Sequence, residues 1–250
     1  MKELKGKWAL ITGASRGIGA ETALSLAGQG CNLLLHSRRT ESLCEVKAKA
    51  EALGVQVKCF AADFAKPGAA DALLEAVAAE GMPVDILVNN AAVNLSMDRS
   101  IAGLSNKYYD WPEEDHVRTY QVNVVVPSIL ASRVLPGMLE RGFGRVVTMT
   151  TSLRGAPGHL AYSVSKAAID KMTTDLATVA QGKDVAVSAV DPGWCQTYLG
   201  GAGATCTAAD TQPGMLVPIC MDTGANGRIF RAQAYAGMTL QDAVAKAEKE

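Results

Sequence analysis

Short apolar runs alternate along the chain with longer segments whose apolar positions recur at helical spacing. The runs Trp8–Ile11, Asn32–Leu35, Val55–Phe60, Ile86–Val88, Val146–Met149 and Val185–Val190 are brief, and most are bounded by Gly, Asn, Asp or Pro. This is the pattern of strands covered on both faces. Between them, Ile18–Gly28, Glu41–Leu53, Ala69–Glu80, Glu113–Arg141 and Ala161–Ala180 have the periodicity of helices. Alternation of this kind predicts an α/β fold, a doubly wound parallel sheet joined by right-handed crossovers with helices on both faces. No repeat, low-complexity segment or linker interrupts it, so one domain is expected over residues 1–250. After Pro192 the pattern breaks: Gly200-Gly201-Ala202-Gly203 and Pro213-Gly214 surround a stretch with little periodicity. Such stretches in compact domains are usually functional loops or disordered. Thr239–Glu250 reads as a peripheral helix with Leu240, Val244 and Ala247 on one side.

Composition narrows the classes. With 250 residues, 48% of them hydrophobic, the chain is long enough for a sizeable core. Its formal net charge of -1 and the lack of a long Lys/Arg run argue against a nucleic-acid partner. The cysteines (Cys31, Cys44, Cys59, Cys195, Cys206, Cys220) are scattered without a CxxC pair and read as reduced thiols. His36, His116 and His159 are scattered too, so no metal centre is expected. The first apolar run is too short for a signal peptide, and no continuous run approaches the length of a membrane span. The expectation is a soluble, cytoplasmic protein.

Candidate chemistry begins at Thr12-Gly13-Ala14-Ser15-Arg16-Gly17-Ile18-Gly19, between the first strand and the first helix. Glycines let the backbone turn sharply and approach a pyrophosphate, and the helix N-terminus offers free N–H groups. At the end of the second strand, where an NAD enzyme carries a carboxylate for the ribose 2′-hydroxyl, stand Ser37 and then Arg38-Arg39. No carboxylate repels a 2′-phosphate there; Arg38, with Arg16, would clamp one. NADP(H) is therefore the expected cofactor. Asp63 ends the third strand, where it would bond an adenine amino group or cap a turn. Asn89-Asn90-Ala91-Ala92 ends the fourth, where Asn side chains tie strand ends together. Further on, Tyr162 and Lys166 stand four residues apart, on one face of the expected helix. A phenol near pKa 10 needs help to work at neutral pH, and a neighbouring ammonium has the sign of charge to lower it.

Taken in order, Thr12-Gly13-xxx-Gly17-x-Gly19, Asp63, Asn89-Asn90-Ala91, Asn123, a Ser/Thr before a Gly, Tyr162-xxx-Lys166 and Pro192-Gly193 with Thr197 resemble the short-chain dehydrogenase/reductase family. The resemblance spans residues 8 to about 197. It implies a Rossmann-type sheet of about seven parallel strands and hydride transfer between a nicotinamide and a carbonyl or alcohol. It also implies residue roles. Tyr162 would be the general acid. Lys166 would lower its pKa and hold the nicotinamide ribose. Asn123 would hold a water linking Lys166 to solvent. Ser152 would polarise the carbonyl. Gly13, Ser15, Arg16, Gly17, Ile18, Gly19, Ser37, Arg38, Asp63, Phe64, Asn90, Ala91, Pro192, Gly193 and Thr197 would contact the cofactor together with Tyr162 and Lys166. Family members often form homodimers or homotetramers, and the apolar run Val122–Leu130 would suit such an interface or a core face.

The sequence departs from the family pattern in the loop before Tyr162. Ser152 lies ten residues before the tyrosine and Thr151 eleven, where the family usually has about thirteen. Counting from Gly144 favours Thr151; counting back from Gly155 favours Ser152. Ala92 stands where the family usually has Gly. Pro192–Gly201 and Asn226–Arg231 are similar to carbonyl-reductase-type members, which implies a ketone or aldehyde substrate. Asn94–Trp111 and Trp194–Met221 would line its pocket with Tyr108, Tyr109, Trp111, Trp194, Tyr198, Met215 and Met221, a set suited to an apolar or aromatic compound. Gly200–Gly203 would hinge a lid.

Overall fold

A computed structural model describes residues 1–222 and 224–250, with 97 and 101 described by their backbone alone. Seven strands form one wholly parallel sheet: β1 (Trp8–Thr12), β2 (Asn32–Ser37), β3 (Val57–Ala61), β4 (Ile86–Asn89), β5 (Gly144–Met149), β6 (Val185–Asp191) and, after a two-residue pair β7 (Cys195–Gln196) and β8 (Cys206–Thr207), β9 (Ile229–Arg231). Their spatial order is β3-β2-β1-β4-β5-β6-β9. The order reverses between β1 and β4, so the carboxyl ends of these strands open a crevice. The predicted Rossmann-type sheet is present with the expected strand count.

Strand alternation divides the core into two layers. Ala9 and Ile11 of β1 face one side with Leu33, Leu35, Ile86 and Val88. Trp8 and Leu10 face the other with Leu34, Leu87, Val146 and Val187. The first layer is covered by α1 (Gly17–Gly28), α2 (Cys44–Glu51) and two later helices; the second is covered by α3 (Ala69–Ala79) and the long helical stretch Glu113–Arg141. α2 is preceded by a 3-10 turn at Thr40–Leu43, so the expected helix Glu41–Leu53 is split.

The stretch Glu113–Arg141 is α5 (Glu113–Tyr120), a π segment Gln121–Val125 and α6 (Val126–Arg141). Pro127 has no N–H to give the Asn123 carbonyl, its partner in a regular α-helix. The chain widens there instead, with Val126 N donating to Gln121 O. An 18-residue window within Glu113–Arg141 has a mean hydropathy of 1.5, so by length and composition alone this helix is apolar enough to cross a membrane, which the sequence reading did not anticipate. That reading counted uninterrupted apolar residues and missed a helix whose polar positions are interspersed. Its apolar side faces the sheet: Val122, Val126, Leu130, Val134 and Met138 are buried in the second core layer. Most of Val122–Leu130 is therefore core, and Val125 is its exposed large side chain.

Three further helices carry what periodicity did not show or only suggested. α4 (Leu95–Ile101) is short. α8 (Gln212–Cys220) lies in the stretch that had no pattern; it comes after α7 (Leu160–Val179). Eight of its nine residues are buried, so it has no polar face to produce a period. Met215 lies within it and Met221 directly after it, and both are core, at 0% and 1% exposed, instead of lining a pocket. α9 (Leu240–Ala247) is the predicted terminal helix, capped by Thr239, whose side chain accepts from Asp242 N.

Candidate active site

At the end of β1 the chain turns sharply. Gly13 and Gly17 have φ of +67° and +59°, a region that side chains disfavour. A Cβ on Gly13 would lie 2.9 Å from Ala91 Cα, and one on Gly19 would collide with the Asn90 amide and Gly13 O. Gly19 thus packs the turn and does not line the cleft. Thr12 and Asn90 stitch the two strand ends. Thr12 Oγ1 accepts from Asn90 N and Ala91 N, both at 3.0 Å, while Asn90 Nδ2 donates to Thr12 O at 2.9 Å and Gly13 O at 3.1 Å. The expectation that Asn ties strand ends together is met.

His36, read from sequence as one scattered histidine, proves to be part of this turn. Gly13 N donates to its Nδ1 at 3.4 Å, its Nε2 lies 3.0 Å from Ala62 O, and its ring stacks on Phe64 with centroids 4.1 Å apart. Those partners require the proton on Nε2. Burial pushes its pKa down to about 4, so the ring is neutral at physiological pH.

A cleft of about 650 Å³ runs over these strand ends. Gly13, Ser15, Arg16, Gly17, Ile18, Ser37, Arg38, Asp63, Phe64, Asn90, Ala91 and Thr197 all line it, as does His36. Asp63 also caps its turn, accepting from Ala65 N at 3.2 Å. Beside it a second hollow of about 490 Å³ is lined by Ser15, Arg16, Ser37, Arg38, Arg39 and Ser42. Three guanidinium-bearing side chains and three hydroxyls, with no carboxylate, make an anion site. Arg39 and Ser42 were not assigned to it from the sequence, because a 3-10 turn brings them round: Ser37 Oγ lies 2.8 Å from Ser42 Oγ and donates to Arg39 O at 2.6 Å.

The other predicted set gathers at the ends of β5 and β6 and on α7. Asn123, held in the π segment, accepts from Val93 N at 2.9 Å and donates to Val93 O at 2.9 Å and to Ser165 Oγ at 3.0 Å. Lys166 is 3% exposed; its Nζ donates to Met149 O at 2.8 Å and stands 5.8 Å from the Tyr162 ring centre. Burial lowers its pKa to about 8. Tyr162 departs from expectation. Burial, reinforced by the Asp191 carboxylate, pushes the phenol up to about 12 where a lowered value was expected from the lysine.

Asp191, at the end of β6, was missed. Its Oδ2 accepts from Ser152 N and its Oδ1 from Gly193 N, each at 2.9 Å, so one carboxylate holds both the hydroxyl-bearing loop and the Pro192-Gly193 turn. Neither Pro192 nor Gly193 lines the cleft. Thr150 still belongs to the sheet ladder, donating from N to Val190 O. Thr151 follows it partly enclosed, and Ser152 is exposed. Of the expected substrate-pocket aromatics, Tyr198 lines the cleft; Tyr108, Tyr109 and Trp194 are more than half exposed. Gly200 is no free hinge, because a Cβ there would collide with Cys195 O and its carbonyl accepts from Trp194 Nε1 at 2.7 Å.

The chain is similar to known proteins in sequence and fold. The short chain dehydrogenase family model matches residues 7–204. A short chain dehydrogenase of Pseudocercospora fijiensis is 32% identical over 217 residues, which are 84% of this chain and 67% of that protein. The fatty acyl-CoA reductase of Acinetobacter baylyi is 33% identical over 191 residues, 76% of this chain, and the match spans less than two thirds (62%) of that protein's length. Among solved structures, a blue fluorescent protein from a metagenomic library in complex with NADPH superposes with a TM-score of 0.80 at 25% identity, covering 92% of this chain and 97% of that one. The chain belongs to the short-chain dehydrogenase family of oxidoreductases.

Proposed function

We propose that this protein is an NADP(H)-dependent reductase of ketones or aldehydes. The observation that carries the reading is the placement of the buried Lys166, its Nζ 5.8 Å from the Tyr162 ring centre, in a chain whose cleft adjoins an acid-free cluster of Arg16, Arg38 and Arg39. The residues fit the cofactor. The glycine turn admits a pyrophosphate against the α1 N-terminus, and the arginine hollow takes a 2′-phosphate. Relatives of known structure solved with NADPH support the same choice. When bound, the nicotinamide supplies a hydride to the carbonyl carbon.

The chain's own groups handle the oxygen. With its pKa near 12, Tyr162 is protonated at neutral pH, as a general acid for reduction must be, and its Oη gives the proton to the nascent alkoxide. Lys166, charged below about pH 8, stabilises the phenolate left behind and orients the ribose. Asn123, fixed through Val93 and Ser165, holds a water for proton return. A hydroxyl of the Thr151-Ser152 pair polarises the carbonyl. Ser152 is the residue the family resemblance nominates; the greater enclosure of Thr151 favours the latter. The substrate is a small molecule, and assembly as a homodimer or homotetramer belongs to the same proposal.

The test is NADPH oxidation, followed by absorbance, over a panel of ketones, diketones and aldehydes, with wild type and Tyr162→Phe in parallel. Turnover in the wild type that falls by roughly 10²–10⁴-fold in the variant, with NADPH binding retained, is the expected result. Equal rates in the two would sink the acid assignment.

A further inference from the structure

Two cysteines eleven positions apart meet at the base of the loop that covers the cleft. β7 and β8 pair in parallel with Cys195 opposite Cys206, and their Sγ atoms are 2.9 Å apart. Thr205 N donates to Trp194 O at 3.2 Å, which fixes the two backbones beside each other. The sulfurs already touch, so closure to a bond needs only a small side-chain shift. Nothing in the sequence signals this meeting, because the pair is not a CxxC and the cysteines are scattered.

We propose that Cys195 and Cys206 form a redox-responsive dithiol site, which a low-molecular-weight disulfide of the glutathione type closes to an intramolecular disulfide. The two thiols differ in access. Cys206 is partly exposed, with Gln233 Nε2 donating to its Sγ at 3.1 Å; Cys195 is 3% exposed. Cys206 as thiolate therefore attacks the reagent first and expels one thiol, leaving a mixed disulfide on Cys206. Cys195, losing its proton, attacks Cys206 Sγ and expels the second thiol. The protein loses two protons and two electrons; the reagent is reduced to two thiols. Burial holds the Cys195 proton firmly, so the second step is the slow one and quickens as pH rises.

The consequence lies in what the new ring contains. Residues 196–205 would become a closed loop carrying Thr197, Tyr198 and Leu199, which line the cleft. Tyr198 already reaches across it. Its hydroxyl donates to Asp98 Oδ1 on α4 at 2.7 Å, and Arg16 stacks over its ring at 4.5 Å. A loop pinned at its tip and stapled at its base opens less often. Cofactor exchange should then slow by at least about tenfold. The link itself is independent of the proposed function; the effect on exchange rests on it.

The experiment incubates the full chain in oxidised glutathione buffers of graded potential, maps peptides by mass spectrometry, and then measures NADPH release by fluorescence. The expected result is one peptide pair joining Cys195 to Cys206, lost in Cys206→Ser and reversed by a thiol reductant. Release should be slower in oxidised wild type and unchanged by oxidant in Cys206→Ser. Separate glutathione adducts on the two cysteines, or no link at any potential, would overturn the site. A link that forms while release is unaltered would overturn the regulatory consequence and leave the NADPH reading standing. No measurable NADPH binding in either redox state would remove that reading and, with it, the consequence, while the mapped link still decides the site.

Discussion

The two ends of the proposed site, the cleft over the β1 and β4 ends and the Tyr162–Lys166 cluster, are built differently. At the nucleotide end the shape is in the backbone: glycines with positive φ, a helix N-terminus, and strand ends stitched by Thr12, Asn90 and His36. At the proposed catalytic end the shape is in side chains brought from distant segments, with Asp191, Asn123 and Lys166 each bonded to backbone or hydroxyls far away in sequence. A substitution at the first end should therefore alter which nucleotide binds and how firmly the turn is held. One at the second end, the ribose-orienting Lys166 excepted, should alter the chemical step and leave nucleotide binding in place.

After loss of the Tyr162 acid, the largest effect is expected in the loop after β5. A hydroxyl that polarises a developing oxyanion acts more strongly when enclosed, because water screens an exposed dipole. Thr151 is the enclosed member of the pair. Thr151→Val should lower kcat by about 10²–10³-fold, and Ser152→Ala should change it little. NADPH affinity should stay put in both. If Ser152→Ala is the damaging change, the loop aligns from its Gly155 end instead. Loss of nucleotide binding in either variant would break the division between the two ends.

Next in size is the arginine hollow. A charge-assisted hydrogen bond to phosphate is worth about 1.5–3 kcal/mol, a factor of roughly 10–100 in affinity. Arg38→Ala should erode the preference for NADPH over NADH by about that factor without lowering kcat at saturating cofactor. Steady-state kinetics with both cofactors separates the two quantities. Because Arg39 and Ser42 share the hollow, some preference should survive, and Arg38→Ala with Arg39→Ala should remove more than either alone. An unchanged preference in the double variant would mean that the hollow does not hold the 2′-phosphate.

The sequence was most informative where a residue type does something no other type can do. Glycine turns, a carboxylate-free second strand end and a Tyr–Lys pair at helical spacing were legible on that account, and so was the sheet, whose buried strands read as apolar runs. What escaped it depends on who meets whom. Asp191 is an unremarked acid until Ser152 and Gly193 are seen to bond it. α8 left no trace because burial on every side removes the polar face that makes a period. Cys195 and Cys206 were two of six dispersed cysteines until β7 and β8 paired. The phenol was the subtlest case. Its neighbour lysine was visible and argued for a lower pKa, but the burial that outweighs it is a property of the folded site.

His36 gives the smallest and cleanest separation of the two ends. It supports the glycine turn only while neutral, since Nδ1 must accept from Gly13 N and a second proton there would turn acceptor into donor. Its pKa is lowered by burial from 6.5 to about 4. Below 6.5 the unfolded chain binds the proton and the folded chain does not, so stability falls as pH drops, until the folded ring itself titrates near 4. Above 6.5 both states are neutral and His36 contributes no slope. Between pH 7 and pH 5 this amounts to about 2 kcal/mol. His36→Gln removes the titrating group, so urea unfolding at the two pH values should show wild type losing about that much more stability than the variant. Amide exchange should place the acid-sensitive opening at residues 12–19, where Gly13 N is held by His36 Nδ1. Equal pH slopes in wild type and variant would mean that the imidazole is not held neutral, and would remove the reason for treating the nucleotide end as the acid-sensitive one.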